Sequence, residues 1–349
     1  MTVGTHHRRA GAGFALALLA LLQPGAAWSQ GTVKHDHFLQ SSTEPNLKIH
    51  VRERLPAGAD PAGIDEAVLF VHGATFGGDT FDLELEGYDW MTQIAERGFA
   101  AYYVDLRGYG QSTRPPVMSD PPLKNEPFAR ADEVVADISD AVDFIRERTG
   151  ADKVNLVGWS WGAVTTGMYT ARNNDKVDRL VFYAPLYSGQ APAWVERMAA
   201  PGDLGQMKDV GAYRSVNAEQ IADIWEEQIV PADKAEWREE EVFDTWFDAL
   251  LTAEPEGADA VRAPNGVLVD SWEIHHARPI YDAGQIKVPT LVIRGDADQE
   301  STEADARGLF EKLGAEEKLY VTIGGGTHFV SLEKRAPLLI REVQAFLER

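Results

Sequence analysis

The sequence predicts an α/β domain with a mainly parallel central sheet flanked by helices. Two patterns predict it: short apolar runs without polar alternation, as strands covered on both faces require, and segments of helical period set between those runs. Strand, helix, strand repeated in this way implies parallel pairing with right-handed crossovers. In order, the strand candidates are Glu66–Val71, Phe99–Val104, Val154–Val157, Leu180–Tyr183, Thr290–Ile293 and Leu319–Ile323. Val134, Ile138, Val142 and Ile145 recur at helical spacing and predict a crossover helix before the third run.

The rhythm breaks after Pro185. From about Leu186 to Gly284 the chain is acidic, carries Trp194, Trp225, Trp237, Trp246 and Trp272, and has helical stretches at 219–228 and 235–251. The strand pattern resumes at Val288. Neither flank would complete a sheet alone, so one domain with an all-helical insertion explains the 349 residues better than two domains do. The expected organisation is a core of residues 30–185 and 285–349 with a helical insertion over 186–284.

Residues 1–29 read as a secretory signal peptide. A basic start (His6, His7, Arg8, Arg9) precedes the apolar run Gly13–Leu22, and small residues lead to Ala27-Trp28-Ser29, an expected cleavage site. The run is short for a membrane span, so the mature protein is expected to begin near Gln30, periplasmic or secreted, without stable membrane insertion. The chain has no cysteine, which excludes a disulfide framework, a thiolate nucleophile and Cys-ligated metal. A formal charge of −22 argues against nucleic acid and anionic membranes as partners.

The stretch Gly158-Trp159-Ser160-Trp161-Gly162 lies where the third strand candidate should end and a helix begin. Glycines two residues either side of a serine suit a sharp strand-to-helix turn that presents the hydroxyl. A hydroxyl needs a base to act as a nucleophile. Of nine histidines, His328 alone falls in a loop directly after a core strand candidate late in the chain, Gly324-Gly325-Gly326-Thr327-His328-Phe329, on the sheet edge that carries Ser160. The base in turn needs a carboxylate to orient it. Gly295-Asp296-Ala297-Asp298 follows the preceding strand; either aspartate could serve, with Asp298 preferred and Asp296 read as a turn cap. Backbone N–H groups must also hold an oxyanion. The expected donors are Trp161, at the start of the helix, and Ala74, with Thr75 next, in His72-Gly73-Ala74-Thr75-Phe76-Gly77-Gly78.

These segments together resemble the α/β-hydrolase superfamily. His72-Gly73, Asp105-Leu106-Arg107-Gly108-Tyr109-Gly110-Gln111-Ser112, the Ser160 elbow, Gly295-Asp296-Ala297-Asp298 and the late His328 stand in that superfamily's order. The resemblance supports Asp298 over Asp296, makes the 105–112 segment structural, and implies that the insertion caps the site. It also implies that a serine at the elbow, where haloalkane dehalogenases and epoxide hydrolases need a carboxylate, serves a carboxylic-ester hydrolase acting on a small-molecule ester.

Two other readings stand beside it. Ser160-Trp161-Gly162 is similar to the elbow of proline iminopeptidases, although Trp159 replaces a glycine of that pattern. Such an aminopeptidase or amidase would need Glu226, Glu227, Glu239, Glu240 or Glu241 to hold an ammonium, whereas an acidic protein shows such residues on solvated helix faces. A ligand-binding protein that keeps the triad is the non-enzymatic reading. Thr75, Phe76, Trp159 and Phe329 are expected to line an apolar substrate pocket. No phosphate loop, dinucleotide fingerprint or metal cluster is present in the sequence, so no cofactor and no metal are implied.

Overall fold

The computed structural model describes residues 31–229 and 234–349, with Met1, Thr2 and Gly4; the rest of the expected 1–29 signal segment lies outside the described residues. Chain order runs β1 (Thr32–Gln40), β2 (Lys48–Pro56), β3 (Ala67–Val71), α1 (Trp90–Ala95), β4 (Ala100–Asp105), α2 (Ala131–Thr149), β5 (Val154–Trp159), α3 (Trp161–Arg172) and β6 (Val177–Tyr183). The insertion holds α4 (Pro192–Met198), β7 (Ala199–Ala200), β8 (Asp203–Met207), β9 (Tyr213–Asn217), α5 (Ala218–Glu226), α6 (Lys234–Trp237), α7 (Glu240–Leu251), β10 (Ala260–Pro264) and α8 (Gly266–His275). Then come β11 (Thr290–Gly295), α9 (Glu303–Lys312), β12 (Lys318–Ile323) and α10 (Ala336–Leu347).

The described residues build one eight-stranded sheet in the order β1-β2-β4-β3-β5-β6-β11-β12. Every pairing from β4 through β12 is parallel, and all six expected strands take part. Alternate residues of the inner strands feed two separate cores. Ala67, Leu69 and Val71 of β3 pack with Tyr102 and Val104 on one face. Val68 and Phe70 pack with Ala101 and Tyr103 on the other. That double burial is why these strands read as unbroken apolar runs.

Two strands differ from the sequence reading. β1 and β2 form an antiparallel pair, and β2 runs antiparallel to β4. β2 is apolar only at Ile49, Val51 and Leu55; its other face carries His50, Arg52 and Arg54. These charges are buried in pairs. His50 bonds the fully buried Asp105 at 2.8 Å, Arg52 Nη1 donates to Asp79 at 2.8 Å, and Arg54 Nε donates to Asp82 at 2.7 Å. An ion-paired strand looks exposed in a sequence, because pairing that permits burial comes from distant residues.

The insertion, expected to be all-helical, is mixed. β9 pairs antiparallel with β10, from Tyr213 opposite Pro264 to Asn217 opposite Ala260, and β7 pairs with β8. Short polar two-stranded ribbons carry little apolar period, and helical stretches nearby dominate the pattern. The expected helix over 235–251 is also two helices, α6 and α7, with Arg238 and Glu239 between them.

The turn from β5 into α3 is a tight backbone contact in the core. A Cβ on Gly158 would lie 2.4 Å from the Gly162 carbonyl oxygen, and one on Gly162 would lie 2.2 Å from the Val71 oxygen. Backbone therefore touches backbone where β3, β5 and α3 meet. Gly308, in α9, has nothing within 4 Å of such a Cβ. Gly162→Ala is expected to cost about 3 kcal/mol through overpacking, while Gly308→Ala should stabilise by about 0.5–1 kcal/mol through helix propensity. Urea unfolding of both variants reads the two signs.

Candidate active site

The loops at the carboxyl ends of the parallel strands bring the candidate residues together. Ser160 sits between β5 and α3 with φ 57 and ψ −120, a conformation that L-residues avoid. Surrounding contacts impose it: Ser160 N–H donates to the Tyr183 carbonyl at 2.9 Å, and its own carbonyl accepts from Ala163 at 3.0 Å. Trp161 opens α3, so its N–H has no intrahelical acceptor. Across from it, Gly73 lies so close that a Cβ there would be 2.9 Å from Ser160 Cβ. Ala74 follows, and among the described residues no hydrogen bond engages its N–H. Thr75 is held at φ 76, a second strained residue on the same rim.

His72 and Asp105 shape this rim without reaching the cavity. Leu106 N–H donates to His72 Nε2 at 3.1 Å, so Nδ1 carries the proton and donates to the Gly73 carbonyl at 2.8 Å. Burial holds its pKa below the ordinary histidine value despite the charge of Asp105, and the ring is neutral. Asp105 accepts from Gly78 N–H at 2.7 Å and Gln111 N–H at 2.9 Å, tying the loops after β3 and β4.

The two aspartates after β11 make different contacts. Asp298 carboxylate oxygens both lie 3.0 Å from His328 Nδ1, and Oδ1 accepts from Glu300 N–H at 2.9 Å and Ser301 N–H at 2.8 Å. Asp296 accepts from Gly325 N–H at 2.8 Å and so braces the histidine loop instead. Burial pushes the His328 pKa down, but the charge and hydrogen bond of Asp298, with the charge of Glu300, outweigh it and raise the ring above 6.5. The loop is fixed by its own backbone. The His328 carbonyl accepts from Trp159 Nε1 at 3.0 Å and from the Tyr183 hydroxyl at 3.1 Å, and its N–H donates to Gln228 Oε1 at 3.1 Å.

Ser160 and His328 line one cavity of about 310 Å³, and Asp298 lies behind the histidine. Ala74, Thr75, Phe76, Trp159, Trp161 and Phe329 line it as well, so every expected oxyanion and pocket residue reaches the same space. Among the described residues, no hydrogen bond joins Ser160 Oγ to His328 in this conformation. Nε2 is the ring nitrogen left for it, and such contacts often tighten only with substrate. Neighbouring rings pack the apolar side: Phe76 stacks on Trp159 at 5.8 Å, and Trp225 stacks on Phe329 at 4.8 Å.

The sequence reading did not single out Arg214, Gln228 or Glu300, which face the cavity; Trp194 and His275 face it as well. Of the five glutamates considered for holding an ammonium, Glu227 alone reaches it. Glu226 pairs with Arg238, and Glu240 does too. His276 bonds the Trp272 carbonyl, so the adjacent histidines face different partners. Among the described residues no group of three or more His, Cys, Asp or Glu could hold a metal ion.

Comparison with known proteins extends the picture. The profile of the alpha/beta hydrolase fold matches residues 66–216. The AB hydrolase superfamily protein YisY of Bacillus subtilis is 25% identical over 257 residues, spanning 72% of this chain and 81% of that protein. Epoxide hydrolase 1 of Siraitia grosvenorii is 27% identical over 309 residues, covering 78% and 89%. Among solved structures, the enol-lactonase of Burkholderia xenovorans superposes with a TM-score of 0.60 at 19% identity, over 90% of this chain and all (100%) of that one. An esterase of Exiguobacterium antarcticum also gives 0.60 at 15% identity, with 90% and 100% covered. Sequence and structure agree on one architecture, the alpha/beta hydrolase fold, with relatives that share about a quarter of their residues.

Proposed function

We propose that the protein is an exported carboxylic-ester hydrolase that works through an acyl-enzyme on Ser160. The observation that carries this reading is a serine forced to φ 57 at the elbow, in one cavity with a histidine whose Nδ1 is held 3.0 Å from Asp298. His328 Nε2 takes the Ser160 proton as Oγ attacks the acyl carbon, and the carbonyl electron pair moves onto oxygen. The N–H groups of Trp161 and Ala74 meet that oxyanion. Collapse expels the alcohol, which takes the proton from His328. Water then repeats the sequence on the acyl-enzyme and releases the acid.

A serine at the elbow supports this chemistry over epoxide opening, which requires a carboxylate there, despite the epoxide hydrolase names among the relatives. The ammonium-holding arrangement of an aminopeptidase has weaker support, since four of the five candidate glutamates lie off the cavity. Export rests on the signal pattern of residues 1–29, and β1 begins at Thr32, just past the expected junction. Among the described residues no helix is long and apolar enough to cross a membrane.

Ser160→Ala is expected to lower kcat/KM on p-nitrophenyl butyrate by at least about 10⁴-fold with an unchanged melting temperature. An unaltered rate would remove Ser160 from the chemistry. Cleavage of proline p-nitroanilide instead of the ester would favour the aminopeptidase. Neither turnover, with a ligand bound tightly, would favour a binding protein.

The raised His328 pKa also sets a pH dependence. The base must be neutral, so kcat/KM is expected to fall as pH drops through a midpoint above 6.5. Glu300→Gln removes one of the raising charges and should move that midpoint down. The stability contribution of His328 has the opposite sense: it is complete below the unfolded value and lost as pH rises through the folded one. A profile of kcat/KM from pH 5 to 9 (about two units either side of neutral) in both proteins checks the direction.

Expression with the native leader provides a test of export. Mass spectrometry of the protein recovered outside the cytoplasm should show a first residue near Gln30. An intact Met1 would overturn export with cleavage.

A further inference from the structure

We propose that Arg214 makes the site selective for esters that carry a carboxylate near the scissile bond, forming an anion-binding subsite beside Ser160. This deepens the ester-hydrolase reading and rests on it for its kinetic test.

Arg214 lies on β9 and lines the cavity that holds Ser160 and His328. Its Nη1 donates to the Pro264 carbonyl at 2.8 Å and to Asn265 Oδ1 at 3.0 Å, and its Nη2 donates to Thr75 Oγ1 at 2.5 Å. Three of five donors are thereby used, leaving Nε–H and one N–H of Nη2. Those two share the guanidinium edge that binds a carboxylate bidentately. Thr75 follows Ala74, so this edge sits next to the expected oxyanion donors.

What singles out Arg214 is the company the other buried arginines keep. Arg107 pairs with Asp137, Arg52 with Asp79, Arg114 with Glu254 and Arg238 with Glu226. In a chain with 55 acidic residues against 33 basic ones, acids are plentiful. Yet among the described residues no carboxylate lies within 4.0 Å of Arg214, and both Glu227 and Glu300 line the cavity without reaching it. Arg294 also bonds carbonyls alone, those of Ser301 and Asp298, but it is buried behind the cavity wall. Burial pushes the Arg214 pKa down, with only Tyr109 opposing, and a bound anion would reverse that cost. A guanidinium placed at low dielectric beside the reacting centre attracts an anion more strongly than one in water.

A plain structural clip, holding Thr75 against Pro264, would use the same hydrogen bonds. Two esters of equal length separate the roles: p-nitrophenyl hydrogen glutarate, which ends in a carboxylate, and p-nitrophenyl valerate, which ends in a methyl. The wild type should favour the glutarate in kcat/KM by about tenfold or more, with the preference shrinking as salt rises. Arg214→Gln should lose about 10–100-fold more on the glutarate than on the valerate, mainly in KM, and Arg214→Lys should fall between. Equal losses on both esters, or a wild-type preference for valerate, would overturn the subsite and leave the clip.

Calorimetry on Ser160→Ala keeps this apart from the hydrolase reading. Monomethyl glutarate should bind, and the added Arg214→Gln change should weaken it by about tenfold. Absent turnover with Arg214-dependent binding would sink the esterase and keep the subsite. Turnover with no Arg214-dependent preference would do the reverse.

Discussion

Backbone contact at one point organises the molecule. The Gly158 and Gly162 positions have no room for a methyl group, and Gly73 comes nearly as close to Ser160 from the far side. Remove that space and β3, β5 and α3 cannot converge, so Ser160 would lose the contacts that hold it at φ 57. The strain on a non-glycine residue there costs on the order of 1–3 kcal/mol, offset by the two cores packed against opposite sheet faces. The sheet works as an anvil: its stability is used to keep one hydroxyl in a posture it would not choose.

Electrostatics around the site follow a division by environment. His72 and His328 are both buried, yet their pKa values move in opposite directions. His72 bonds only backbone groups, so desolvation wins and the ring stays neutral as a brace. His328 faces a carboxylate held in turn by two backbone amides, so the cationic form is favoured. The difference between the two directions lies in the partner, since both rings are the same chemical group in similar seclusion.

Much of this was legible in the sequence because it depends on local pattern. Strands buried on both faces announce themselves as apolar runs, and a glycine-flanked serine between a strand and a helix points to an elbow. Asp298 and His328 could be placed because each closely follows a core strand. β2 could not, since His50, Arg52 and Glu53 look solvent-facing until their partners Asp105, Asp79 and Arg148 are known. The ribbons of the insertion were hidden by their brevity and polarity. Arg214 carries no local signal at all: its meaning comes from Thr75, Pro264 and Asn265 converging on it from far along the chain.

The insertion leaves after β6 and returns before β11, and those two strands are paired neighbours, with Leu180 opposite Thr290. The excursion therefore leaves from the carboxyl edge of one strand and re-enters at the opposite edge of its parallel neighbour. Closing a loop of that length carries an entropy cost on the order of 4 kcal/mol, but doubling its length adds only about 0.6 kcal/mol. Trp194, Arg214 and Gln228, all from this excursion, form part of the cavity wall. Insertions and deletions there would thus redraw the substrate's surroundings at little thermodynamic expense, while the residues proposed for bond cleavage stay on loops that the core strands carry.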